Sequence, residues 1–379
     1  MHIGFISSHY PFSLSTRVGG IGTSIKNLSK ALIAQGHHAT VFVYGQSQDA
    51  IFQEEGVKIY TIKNKKVKGL SWYFTRKKIE RLVQQVILEA QIDIIEAPDW
   101  TGISAFMRFS VPLVIRLNGS DGYFCHLENR TQKWFNGFLE QNALQQADAI
   151  ISVSTFTAEQ TKAIFNIKKD IVTLFNSVDV DEFRPIAVEV DTNEILYFGA
   201  IIRKKGVLDL AHVFNTLVED RPETTLLLIG NDTMDVFTKS STLALFYSIL
   251  TDEARARVKH IPGVPYTEIK HYIAKAAVVV LPSYAEAFPM TWLETLAMEK
   301  PLVSSNIGWA KELMIDGKTG YMVTPDDHNV FAEKVIALLE DEGLRVNMGS
   351  YARAHVKRHF STAIITKQNI DYYHSLIQG

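Results

Sequence analysis

Two doubly wound α/β domains, each built on a mostly parallel sheet, are what this sequence predicts. Three observations carry that expectation. The chain has 379 residues, more than one hydrophobic core usually holds and suited to two domains of about 150–200 residues each. Short apolar runs, β-branched or nearly continuous, alternate with longer amphipathic stretches, as expected for βαβ units whose strands are covered on both faces. The alternation runs through the first half, lapses, and starts again.

In the first half the strand-like runs are HIGFISS (2–8), ATVFVYG (39–45), VKIYTIK (57–63), IDIIEAP (92–98), PLVIRLN (112–118) and DAIISVS (148–154). Helical patterns fill the gaps; over 24–35, Ile25, Leu28, Leu32 and Ile33 share one stripe. The stretch NSVDVDEFRPIAVEVDTNE is acidic, holds Pro185 and follows neither period, so it reads as the linker, with the boundary near Arg184. The pattern then resumes with ILYFGA (195–200), TTLLLIG (224–230), VKHIPG (258–263), AVVVLPS (277–283), PLVSS (301–305) and GYMV (320–323). The expected layout is a first domain over 1–184, a second over 185–360, and a helical segment 361–379 packing back on the first. Ligands bind at the carboxyl ends of such sheets, so a cleft facing both sets of ends is the expected site.

Composition narrows the function. Lys plus Arg number 39 and Asp plus Glu 41, a net charge of −2, so no global field draws the protein to nucleic acid. Cys125 is the sole cysteine, which excludes an intrachain disulfide and a Cys-based zinc site. The start MHIGFISSHYPF lacks the charged region and long apolar run of a leader, and the apolar stretch near 276–281 falls far short of the roughly 20 residues that span a bilayer. A cytoplasmic protein is expected. The charge is uneven, however. Lys63, Lys65, Lys66, Lys68, Arg76, Lys77, Lys78 and Arg81 face only Glu80 between 61 and 81, with Leu70, Trp72, Tyr73 and Phe74 interleaved. That segment reads either as a solvated face or, over 63–81, as a peripheral contact with an anionic membrane.

Two motifs could carry chemistry. Gly19-Gly20-Ile21-Gly22-Thr23-Ser24 lies ahead of a helix, where glycine lets backbone approach a ligand and helix amides attract an anion; a plain tight turn is the alternative. It is not G-x-G-x-x-G, and the second strand ends Val43-Tyr44-Gly45 without the acidic residue a nicotinamide nucleotide needs. The other is Glu286-Ala287-Phe288-Pro289-Met290, continuing to Glu294. Pro289 suits a first helical turn, so amides near 287–290 can meet phosphate, and Glu294 is placed to accept from vicinal hydroxyls. Ordinary solvated glutamates are the bland alternative. Asp179-Val180-Asp181 looks like a metal-binding D-x-D but sits in the linker, where Asp caps a turn. The 12 histidines show no zinc spacing.

Glu286 to Glu294 resembles the E-x7-E signature of retaining, nucleotide-sugar-dependent glycosyltransferases of the GT-B fold, family 4. The segments YFGAIIRKKGVLDL (197–210), LLLIGND (226–232), HIPGVPYTEI (260–269), VVLPSYAEAFPM (279–290) and IGWAKELMIDGKTGYMV (307–323) are similar to that family's in order and spacing. So are the glycine loop, RLNGSD (116–121), SVSTFTAE (152–159) and FNSVDVDEF (175–183). The resemblance implies two Rossmann-like domains facing a cleft and transfer of a hexose from a nucleoside diphosphate to an acceptor hydroxyl without a metal or other cofactor. UDP-hexose is the favoured donor and GDP-mannose the second. Glu286 would bind the donor sugar, the backbone of Ala287, Phe288, Pro289 and Met290 the sugar and phosphate, and Glu294 the ribose. Lys205 would neutralise the diphosphate, with Gly19 and Gly20 bringing amides to it. The acceptor, a glycan or lipid-linked hydroxyl, would meet loops 8–18, 99–101 and 119–124, with Asp99, Trp100 and Asp121 as its candidate contacts. Two positions depart from the family pattern. Ala200 stands where Arg is usual, with Arg203 as its substitute, and Asn118 stands where many members have His. A nucleotide-sugar 2-epimerase and a non-catalytic nucleotide-sugar-binding partner protein are the rival readings.

Overall fold

The computed structural model describes residues 1–13 and 19–378. Of the loop 8–18 expected to face the acceptor, residues 14–18 therefore lie outside the described residues. The chain forms two compact α/β units, one of Met1–Ser177 together with the segment from Thr362, the other of Val178–Ser361.

The first unit holds β1 (His2–Ser7), β2 (His38–Gln46), β3 (Ala50–Glu54), β4 (Val57–Lys63), β5 (Ile94–Pro98), β6 (Leu113–Leu117), β7 (Ala149–Ser152) and β8 (Ile171–Thr173). They form one sheet in the order β3-β4-β2-β1-β5-β6-β7-β8. β1 lies centrally with Ile3, Phe5 and Ile6 wholly buried. Alternation sends its side chains to opposite faces. Ile3 and Phe5 pack with Ile25, Leu28 and Leu32 of α1 (Gly20–Ala34), and Ile6 packs with Ile79, Val83 and Val86 of α2 (Ser71–Ala90). Each such side chain withdrawn from water contributes about 1.5–3 kcal/mol.

Three local features differ from the sequence expectation. β3 pairs antiparallel with β4, because Glu55 and Gly56 take φ 51° and 80° and make the two-residue turn whose twist suits a hairpin. β8 is an edge strand of three residues, too short to show a period. α1 begins at Gly20 with Gly19 as its N-cap, so the glycines form the first helical turn. Gly22 is required there because a Cβ would stand 2.7 Å from the His9 carbonyl oxygen.

The second unit is a six-stranded, wholly parallel sheet, β11-β10-β9-β12-β13-β14. Its strands are β9 (Asp191–Phe198), β10 (Thr225–Ile229), β11 (Val258–Ile261), β12 (Ala276–Leu281), β13 (Leu302–Ser305) and β14 (Gly320–Val323). The order reverses between β9 and β12. Their carboxyl-end loops are thus neighbours at a topological switch point, the place where such sheets bind ligands. The unit starts at Val178, ahead of the expected boundary at Arg184. The amide of Val178 donates to the Phe360 carbonyl, and Arg353 donates to the carbonyls of Val180 and Phe183. β9 also begins inside the stretch read as linker.

The helix Thr362–Gln378 belongs to the first unit, and a buried polar network holds it there. Arg116 of β6 grips Glu96 of β5 through two hydrogen bonds of 2.7 and 2.9 Å, donates to the Leu174 carbonyl, and reaches Asn369 and Tyr373 of the helix. The Tyr373 hydroxyl donates to Glu96. Removing one member of such a pair strands a buried charge. Arg116→Met is expected to destabilise the protein by about 3–5 kcal/mol in urea unfolding; a loss under about 1 kcal/mol would show that the network is dispensable.

Candidate functional site

The loop after β9 runs Gly199 to Gly206 and the loop after β12 runs from Pro282 to Pro289. Glycine lets them meet. Gly206 has φ +68°, and a Cβ there would lie 1.9 Å from the Pro282 carbonyl oxygen; at the end of β10, a Cβ on Gly230 would lie 1.7 Å from the Gly199 carbonyl oxygen, which seats the β9 loop from its other side. Between them Arg203–Lys205 form a 3₁₀ turn, and the Lys204 carbonyl accepts the amides of Tyr284 and Ala285 at 2.8 and 3.2 Å. That clamp sets Lys205 opposite Glu286, Nζ to Oε1 at 2.9 Å. Ser283 Oγ donates to the same Oε1 at 3.1 Å. Both charged side chains keep some solvent contact, Lys205 at 20% and Glu286 at 13%, so a ligand can reach the pair.

The helix Met290–Ala297 starts behind Pro289 with no side-chain cap. Helix amides at such a start attract negative charge. The side chains of Ala287, Phe288 and Met290 are buried, leaving backbone as what this turn can present. Glu294, on the same helix, is only 3% exposed. Burial pushes its carboxyl up to about 7, opposed by a hydrogen bond from the Tyr266 hydroxyl to Oε1 at 2.7 Å and by the field of Lys205. Tyr266 in turn packs on Phe183, with ring centroids 5.5 Å apart. Glu286 and Glu294 are thus two carboxylates with different environments, one paired with a cation and one sunk in protein.

Arg203 is placed differently from expectation. Its Nε and a terminal nitrogen bind Asp235 at 2.7 and 3.1 Å, and Asp235 is fixed by the amide and hydroxyl of Thr238, each at 2.8 Å. The Arg203 guanidinium first, then the Thr238 donors, hold the Asp235 carboxyl well below the ordinary range. The charge of Arg203 is therefore compensated in this structure. Ala200 is exposed, and its carbonyl accepts from the buried Tyr197 hydroxyl at 2.9 Å.

The first unit gathers the remaining candidates at the carboxyl ends of β5 and β6. Asn118 donates its amide to Asp99 Oδ1 at 3.0 Å and its side-chain nitrogen to the Arg116 carbonyl. Asp99 is buried and raised to about 8, first by burial and also by the nearby Glu140. Asp121 opens α3 (Asp121–Leu127), behind the N-cap Ser120, and Trp100 faces Phe124 at 6.3 Å between ring centroids. Glu140, on α4 (Trp134–Gln146), was not among the sequence candidates. Its Oε1 accepts the amides of Thr101 and Asp121 at 3.0 and 2.8 Å, and Oε2 accepts the amide of Gly122 at 3.0 Å. One carboxylate therefore ties the Asp99–Gly102 turn to the start of α3. Gly19 and Gly20 lie in this unit at the start of α1, and no atom of the described residues lies within 4 Å of where a Cβ would stand. Asp179 Oδ1 accepts the amides of Asp181 and Glu182, a turn cap. Among the described residues no group of three or more His, Cys, Asp or Glu is placed to hold a metal ion.

Two Rossmann-like units of this topology, with Lys205 set against Glu286 at a switch point, are the arrangement expected of a glycosyltransferase of the GT-B type. Family models agree along most of the chain. Residues 179–355 match "Glycosyl transferases group 1" and residues 18–182 match "Glycosyltransferase Family 4"; the chain belongs to that glycosyltransferase family. Among its relatives are an uncharacterised glycosyltransferase of Methanocaldococcus jannaschii, 24% identical over 93% of this chain and 92% of the relative. Glycogen synthase of Mycobacterium tuberculosis is 24% identical over 100% of this chain and 96% of the enzyme. Sucrose-phosphate synthase from Thermosynechococcus elongatus shares the fold with a TM-score of 0.81 at 20% identity, covering 100% of this chain and 99% of that one. Anabaena HepE, solved with UDP-glucose, superposes with a TM-score of 0.76 at 19% identity, covering 99% of this chain and 100% of that one.

The raised Glu294 carboxyl gives this site a pH signature. Below about 7 it is neutral and a weak acceptor for hydroxyls; above, it is ionised. Affinity for UDP-glucose, whose diphosphate does not titrate in this range, is expected to rise from about pH 6 to about pH 8 by several-fold and to be flat in Glu294→Gln. Tyr266→Phe removes a donor that favours the ionised form, so its transition moves to higher pH. Calorimetric titration with UDP-glucose across this range checks both, and a pH-independent wild-type affinity would overturn the ribose role expected of Glu294.

Proposed function

We propose that this glycosyltransferase moves a hexose from a UDP-sugar to a hydroxyl of a glycan or lipid-linked acceptor in polysaccharide assembly, retaining the anomeric configuration. GDP-mannose is the second choice of donor. The observation that carries the reading is the Lys205–Glu286 pair beside an uncapped helix start, with Glu294 buried further along the same helix. The UDP-glucose complex of the Anabaena protein supports a nucleotide-sugar donor, and the glycogen synthase among the relatives supports a glycan product.

The chemistry follows from charge. As the glycosidic bond breaks, negative charge grows on the departing diphosphate, and preorganised donors aimed at that charge lower the barrier most. Lys205 supplies a full positive charge and the start of the helix Met290–Ala297 supplies backbone amides, so this reading needs no metal. Arriving diphosphate competes with Glu286 for Lys205, and Glu286 turns to accept from the sugar hydroxyls. Glu294 accepts from the ribose. Among the described residues no nucleophile stands out for a double displacement. The leaving phosphate oxygen then takes the acceptor proton on the same face from which it departed, which gives retention. Asp99, Trp100 and Asp121 are the acceptor-side contacts, and Asn118 orients Asp99 through its backbone amide.

A thermal-shift screen of nucleotide sugars tests the donor, followed by transfer assays and NMR of the product anomer. UDP-hexoses are expected to stabilise the protein, and Lys205→Ala to lower the transfer rate by about 10²–10³. A stabilisation by no nucleotide sugar, or an inverted product, overturns the reading. Arg203→Ala separates two roles. Weakened donor binding makes its guanidinium the substitute for the Arg missing at Ala200, and unchanged affinity with unchanged rate makes it a loop brace for Asp235.

A further inference from the structure

The basic segment 63–81 is less positive at its surface than its sequence. Arg76 is buried and donates to the carbonyls of Thr101 and Gly102, each at 3.1 Å. Lys78 pairs with Asp49 and Lys77 with Glu80, both at 2.6 Å. Lys65, Lys66 and Lys68 remain exposed and, among the described residues, enter no ion pair. They flank something the sequence did not show.

Aromatic rings of α2 and α4 join into one continuous patch. Phe74, Tyr73 and Trp72 touch in succession, Trp72 meets Phe135 at 5.1 Å, and Phe135 touches Trp134 and Phe138, which stack on each other at 6.0 Å. Trp134 is 79% exposed and Leu70 49%, with Tyr73, Phe74 and Phe138 also exposed. A cluster of large apolar side chains left in water marks an interaction surface. Its composition selects the partner. Trp, Tyr and Phe with exposed lysines beside them in the chain, here Lys65, Lys66, Lys68 and Lys133, match the headgroup layer, where amphipathic rings sit at the apolar boundary and ammonium groups meet lipid phosphate.

We propose that this face of the first unit docks on an anionic lipid surface and so presents lipid-linked acceptors to the enzyme. The patch is wired to the acceptor-side candidates. Arg76 of α2 holds the carbonyls of the turn that follows Asp99 and Trp100, and Asn136, two positions after Trp134, donates to Asp121 Oδ2 at 3.0 Å. A membrane under the patch therefore lies beside the loops that would hold the acceptor hydroxyl. The inference deepens the transfer reading by naming where the acceptor comes from. Among the described residues no helix is long and apolar enough to cross a membrane, so the attachment is to the surface.

Flotation with phosphatidylcholine vesicles, with and without phosphatidylglycerol, tests this on the full chain. Binding is expected only with the anionic lipid. Lys65→Gln, Lys66→Gln and Lys68→Gln together should weaken it roughly a hundredfold, at about fivefold per charge. Trp134→Ser with Phe138→Ser, both at exposed positions, should weaken it at least tenfold. Thermal stabilisation by UDP, measured on the same samples, should be unchanged in these variants; its absence from the wild type fails the transfer reading and leaves the docking result standing. Failure of the wild type to float, flotation that none of the variants alters, or a soluble dimer that Trp134→Ser disperses in place of vesicle binding overturns the proposal.

Discussion

The close approach of backbone at the carboxyl ends of β9, β10 and β12 is the constraint on which the second unit's site depends. A carbonyl oxygen stands 1.9 Å from where Gly206 would carry a Cβ and another 1.7 Å from that of Gly230, distances no side chain can share. With those hydrogens in place of methyl groups, the Lys204 carbonyl reaches two amides of the other loop, and Lys205 and Glu286 are carried to within reach of one another. Backbone geometry thus supplies the proximity on which their ion pair depends.

The two acidic residues of the motif show how one helix start sets up unlike carboxyls. Glu286 sits before the helix, beside an ammonium group and a hydroxyl. Glu294 lies in the body of the helix where little water reaches, and Tyr266 with Phe183 behind it closes the wall. Phe183 comes from the segment at which the chain enters this unit. The entry segment of the unit is thereby part of the support for the Glu294 carboxyl, and the Arg353 bonds to Val180 and Phe183 keep it in place.

What the sequence made legible was whatever has a period or a fixed spacing. Strand runs buried on both faces stood out, as did the helix behind Pro289 and the Glu286 to Glu294 interval. Features set by pairing at a distance did not. β3 depends on a turn at Glu55-Gly56 whose dipeptide is a weaker sign than Asn-Gly. Asp235, Tyr266 and Glu140 stand at no spacing that marks them, and only the folded chain brings each against its partner. The charge count over 61–81 was correct as arithmetic but misleading as a surface, since burial and pairing remove Arg76, Lys77 and Lys78. The aromatic patch was half visible: Trp72, Tyr73 and Phe74 were noted, but nothing in the sequence joined them to Trp134 and Phe138, some sixty positions on.

The first unit is discontinuous, and its closing piece carries polar groups that its centre needs. Glu96 and Arg116 meet Asn369 and Tyr373 only after the chain has passed through all of 178–361. On the ribosome, where domains fold as they emerge, the β5–β6 region must wait with its ion pair incompletely satisfied while an entire second sheet is made. The order of assembly is therefore nested: the second unit can complete itself first, and the first unit becomes whole only when the returning helix docks. A nascent chain halted between the two leaves the buried Glu96–Arg116 pair without its Asn369 and Tyr373 partners, and the apolar face that Ile370 and Tyr373 later cover open to water.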